Sequence, residues 1–155
     1  MKPALIFVLC LAAVLLGQIA PPGPPLTKAP GSLLAYSAGA VGIQNSVAQY
    51  FAAGGSLTST VETDVQMPIA VAGTISKLFL RMSLAPGISN QTNVYVNKNG
   101  SGTAVGCVIS DSAVTCNDST HSFSVAAGDL VDVEVVMQGN AGASTVVFTA
   151  QFAPS

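Results

Sequence analysis

Half of the 155 residues are apolar and only 8% are charged, the reverse of the balance that keeps a chain unfolded, so this chain can bury a core. A formal net charge of −2 and a pI near 4.9 exclude the basic footprint that nucleic acid or acidic lipid would require. With so few charges, solubility rests on Ser, Thr, Asn and Gln, and such surfaces favour self-association.

The chain opens with Lys2 and an apolar run over residues 4–16. Thirteen residues are too few to span a bilayer, which takes about 20. Followed by small and polar residues from Gly17 to Ala20, the run has the form of a signal peptide over residues 1–20, cleaved after Ala20 or Gly17. Cys10 lies too deep in the apolar run to be a lipidation site. The expected location is therefore secreted or cell-surface, with no membrane span once the leader is removed. Residues 21–49 form a Pro/Gly/Ala-rich linker, stiffened by proline, with a first strand around Leu34 and Tyr36. Only Gly23 fits a collagen triplet, so the linker is not collagenous.

Residues 50–155 carry alternating patterns. Short strands are expected over 50–53, 61–67 and 121–125. Over 74–84, Leu78, Leu80, Met82 and Leu84 share one face, while Lys77, Arg81 and Ser83 share the other with Ile75 and Phe79. Val94 and Val96 alternate with Tyr95 and Asn97 before Asn99-Gly100, a strong hairpin signal. Two more strands alternate over 130–137 and 145–152. No helix-period segment of useful length follows the leader. The expected fold is all-β: an antiparallel, jelly-roll-like β-sandwich.

Outside the leader the cysteines are Cys107 and Cys116, and an even pair in an exported protein favours a disulfide. The stretch 107–116 reads as two strands around an Asp111-Ser112 turn, with Cys107 opposite Cys116 in one ladder. The bridge is structural, since the spacing suits neither a metal nor a redox motif.

The segments 72–78 (Ala-Gly-Thr-Ile-Ser-Lys-Leu), 97–100 (Asn-Lys-Asn-Gly) and 125–131 (Val-Ala-Ala-Gly-Asp-Leu-Val) resemble bacterial and phage-associated secreted jelly rolls. These are in turn distantly similar to the C1q/TNF-like group. The resemblance spans about residues 50–155 and implies a compact sandwich that trimerises. It carries over no catalytic residues.

The chemistry-bearing residues are sparse. His121, the single histidine, lies in a polar turn without a nucleophile context and reads as a surface residue. Asp132 and Glu134 project from one strand face and are, with Asp129, the nearest candidates for a Ca²⁺ site, with Asp118 as a further recruit. Lys77 and Arg81 are placed to pair with Asp132 and Glu134 across neighbouring strands. Tyr50 and Tyr95 are the aromatic residues best suited to face a ligand such as a glycan or a protein surface. Asn90, Asn99 and Asn117 begin glycosylation sequons. The expectation is a non-enzymatic structural or adhesive module that self-associates, with no required cofactor. A carbohydrate-binding module is the alternative, and a carboxylate-pair hydrolase stands third.

Overall fold

The computed structural model describes residues 32–37, 43–53, 57–138 and 144–155; the leader, most of the linker and the Gly139-Asn140 turn lie outside the described residues. Ten strands are present among them: β1 (Ser32–Ser37), β2 (Ala48–Ala52), β3 (Thr58–Ser59), β4 (Met67–Pro68), β5 (Gly73–Met82), β6 (Gly87–Lys98), β7 (Ser101–Asp111), β8 (Thr115–Val125), β9 (Leu130–Met137) and β10 (Val146–Pro154). They form two antiparallel sheets, one ordered β1-β10-β5-β8 and the other β3-β2-β9-β6-β7, with β4 beside β9. β1 pairs with β10, β2 with β9, β5 with β8 and β6 with β7. The chain is thus one long antiparallel hairpin, rolled so that successive pairs fall in alternate sheets. That is a jelly-roll sandwich, as expected. The strand at Leu34 and Tyr36 belongs to it as an edge, so the sandwich begins at Ser32 rather than at residue 50.

Alternation supplies the core. Ile75, Leu78, Leu80 and Met82 from β5, and Val146 and Phe148 from β10, face Val94, Val96, Val105, Ile109 and the odd-numbered residues 131–137 of the other sheet. Phe148 meets Phe51 of β2 edge to face across the interior, with ring centroids 6.4 Å apart. Ile75 was expected on the polar face, yet it is fully buried. The cause is a β-bulge: the register shifts between Ser76 and Leu78 against β8 and between Ser76 and Phe79 against β10, and Lys77 takes a left-handed φ of 56°. One extra residue reverses the alternation and returns both Ile75 and Leu78 to the core. Leu84 lies past the end of β5 and is exposed.

Two further expectations change. Residues 61–67 do not form a strand. Glu62–Asp64 is a 3₁₀ turn, and only Met67–Pro68 pairs, with Val131 and Leu130. The segment closes on itself: the Ser59 hydroxyl donates to Asp64 at 2.8 Å and accepts from the Val61 N–H at 3.0 Å. Pro68, lacking an N–H, sits at the edge where such a residue is tolerated. The second change concerns residues 107–116. Their strands do not share a ladder. β7 pairs only with β6, and β8 only with β5. The chain crosses between the sheets at the turn closed by Ala113 N–H to Ser110 O. The Asn99-Gly100 hairpin, by contrast, forms as read, with φ of 51° and 79° at its two central residues and Lys98 opposite Ser101.

The disulfide between Cys107 and Cys116 is present, with Cα atoms 5.8 Å apart. It joins the edge strand of one sheet to the edge strand of the other, closing that side of the sandwich. Next to it the Gly106 N–H donates across the same gap to Asp118 at 3.2 Å.

Candidate functional site

Register brings the candidate residues together on the outer face of the six-stranded sheet. Glu134 of β9 lies opposite Tyr50 of β2 on one side and Tyr95 of β6 on the other, and Tyr95 in turn lies opposite Gly106 of β7. Two residues along, Asp132 lies between Ala52 and Asn97. All point away from the core because residues two apart on a strand share a face. Gly106 is required here: a Cβ would come within 2.6 Å of Val94 O and 2.8 Å of the Tyr95 ring. Tyr95 therefore lies over the bare backbone of β7, with 40% of its surface exposed.

The 3₁₀ turn reaches over this face and adds Glu62. Glu62 Oε1, Asp132 Oδ1 and Glu134 Oε2 converge on the side-chain nitrogen of Asn97 at 3.3, 3.1 and 3.4 Å. That nitrogen has two protons for three acceptors. Asp132 and Asn97 are buried beneath, and one oxygen of each, Asp132 Oδ2 and Asn97 Oδ1, has no partner of good geometry. Glu62 and Gln66 nevertheless stand close enough to act on the Asp132 charge. Burial first, and then the Glu62 charge, push the Asp132 carboxyl up to about 7, so it holds its proton near neutrality. Burial and the Glu134, Glu62 and Asp132 charges likewise raise the Tyr50 hydroxyl.

Neither Glu62 nor Asn97 was singled out from the sequence. Glu62 lies 35 residues from Asn97 and further still from Asp132, and only the turn brings it over the sheet. Asn97 reads locally as a turn residue, part of Asn-Lys-Asn-Gly.

The other candidates lie elsewhere. Asp129 sits in the β8–β9 turn, where it accepts from Ala126 N–H at 2.8 Å, Asn99 Nδ2 at 2.9 Å and Lys98 Nζ at 2.9 Å. These donors, the Ala126 N–H foremost, lower its carboxyl to about 2. It does not join Asp132 and Glu134. Asp118 is far off, at the disulfide edge. Lys77 and Arg81 belong to β5, in the opposite sheet, and pair with neither carboxylate: the ion pairs among the described residues are Lys98–Asp129 and His121–Asp118. No group of three His, Cys, Asp or Glu among the described residues is arranged to hold a metal ion.

His121 is exposed, as expected, but it is anchored. Its Nδ1 lies 2.9 Å from Asp118 Oδ2. Burial opposes ionisation of Asp118, yet backbone donors from His121, Thr120 and Gly106, and then the His121 ring, hold it well below the usual carboxylate range. A groove of about 490 Å³ opens here beside the disulfide, and its titrating groups, Asp118 and His121, are bonded to each other.

Among the described residues no helix is long and apolar enough to cross a membrane. No protein-family model matches the chain, and no curated protein matches it.

Proposed function

We propose that this protein is an exported, non-enzymatic surface module that adheres through the outer face of its six-stranded sheet and self-associates. The observation that carries this reading is the row Tyr50–Glu134–Tyr95, which places two aromatic residues on the outer face of the sheet, Tyr95 exposed and Tyr50 half-buried. Burial of Asp132 also supports a non-catalytic role, because a general acid or base must reach the bond it acts on. Large apolar side chains left in water, including Ile88, Phe79 and Val147, supply material for contact between copies. The jelly-roll frame supports the resemblance to C1q/TNF-like domains, and with it a trimer. Light scattering on the protein secreted by an expressing host is expected to give three times the chain mass. A monomer that persists at high concentration overturns the self-association.

The tyrosine pair also favours carbohydrate as what the face contacts. Glycan binding lost in Tyr50→Ala and Tyr95→Ala, with the fold intact, is the expected result. Binding to no glycan, with or without Ca²⁺, removes this second reading.

A further inference from the structure

We infer that an apolar groove at one end of the sandwich holds Leu26 and the prolines beside it, so that the segment leading into β1 is seated on the fold. This goes beyond the adhesive reading above and does not depend on it.

The groove lies between the sheets at the end where β5 begins and β10 finishes. Residues 67–71, on the approach to β5, line it, with Ala53 just past β2 and Phe152 of β10 completing the walls. Every lining side chain is apolar. The volume, about 210 Å³, is below the roughly 300–1,000 Å³ of a site built for a free small molecule. Ile69 offers no polar handle, because its N–H donates to Asp129 O and its C=O accepts from the Gly128 N–H, both at 2.8 Å. Met67 and Val71 remain exposed. The chemistry suits an aliphatic side chain that needs no hydrogen bond.

Register brings the chain's own segment to this place. Ser32, the first residue of β1, pairs with Phe152, so the preceding backbone enters one strand step, about 4.8 Å, from the residue that walls the groove. Because β1 runs antiparallel to β10, the residues before Ser32 leave in the direction of Pro154, which pairs with Gly73 at the start of β5. Residues 67–71 precede that same end of β5. The Phe152 ring is fixed there by close approach to Gly73, where a Cβ would come within 2.6 Å of its Cε2.

Composition then selects the occupant. Five of the ten residues 21–30 are proline, which has no N–H to leave unpaired on an apolar surface and surrenders little conformational freedom when it docks. Leu26 is the one large aliphatic side chain among residues 21–31. It stands six residues before Ser32, a reach of up to about 19 Å at roughly 3.1 Å per residue, enough to return over a groove that begins beside Ser32. So short a tether also holds the segment at an effective concentration on the order of millimolar, which favours it over the same segment of a second copy. Docked in this way, it shields the open end of the core.

The test is NMR on the secreted protein with labelled Leu, Val and Phe. Contacts are expected from the Leu26 methyls to the Phe152 ring and the Val71 methyls. Leu26→Ser is expected to remove them, to shift the Ala70 and Val71 resonances and to speed exchange of the Ile69 amide at least threefold, while Leu26→Met keeps the parental rate. Absence of these contacts, with Ile69 exchange unchanged in Leu26→Ser, overturns the inference. Contacts found only between labelled and unlabelled copies in a mixed sample place a second copy's segment in the groove and overturn docking within one chain. Octanoate that shifts the Phe152 resonances equally in the parent and in Leu26→Ser shows a groove open to a fatty acid, and that also overturns it.

Discussion

Asp132 shows how a single buried carboxyl writes itself into the stability of the fold. Its folded value near 7 lies above the unfolded value near 3.9, so between those pH values the folded state binds more protons. Stability then falls as pH rises through this window and levels above it. The expected loss is about 1–3 kcal/mol, below the full shift because Glu62 and Glu134 beside it remain partly in water. Asp132→Asn should abolish the slope between pH 4 and 7 in urea unfolding curves. Asp118 works with the opposite sign. Its lowered carboxyl stabilises above the unfolded value and loses that contribution as pH falls below about 4. Asp118→Asn leaves the Gly106, Thr120 and His121 N–H groups with a weaker acceptor, and should cost roughly 1–3 kcal/mol at pH 6 and progressively less as pH falls below 4.

At the scale of elements, the disulfide and the bulge decide most. Removing the bridge by Cys107→Ser with Cys116→Ser should destabilise by roughly 2–3 kcal/mol, the value for so short a loop. Because the bridge links two sheets, hydrogen exchange should rise along both β7 and β8 in the variant, while β9 in the middle stays protected. Gly106→Ala should cost about 1–3 kcal/mol, since the new methyl must displace backbone and the Tyr95 ring. This is also the scale at which the sequence was most and least legible. Strands β5, β9 and β10 and the Asn99-Gly100 hairpin were readable because alternation and turn chemistry are local. The reversal at Lys77 was not, because a bulge depends on what the partner strands demand. The two cysteines were correctly paired, but the sheets they connect were not foreseen, since a ten-residue segment looks the same whether its strands pair or part. For the candidate site, Tyr50, Tyr95, Asp132 and Glu134 were legible as outward residues, whereas Glu62 and Asn97 join them only through register and the fold of the 3₁₀ turn.

For the whole molecule, the opposing titrations of Asp132 and Asp118 place greatest stability in mildly acid solution, near pH 4–5, rather than at neutrality. A pH series of thermal unfolding should show that maximum, and a maximum above pH 7 would contradict it. The core draws on both sheets, with Phe51 and Phe148 meeting at its centre, so Phe148→Ala should cost about 3–5 kcal/mol and unfold both sheets together.

The pairing of Ser32 with Phe152 has a mechanical consequence. The beginning of β1 and the end of β10 lie side by side, at the edge away from the disulfide. A pull that separates these two points loads the β1–β10 bonds one after another, as a zipper opens, and gives way at low force. The opposite, cross-linked edge carries none of that load. Tension would therefore peel a single strand from the module before it disturbed the face that holds Tyr50, Glu134 and Tyr95.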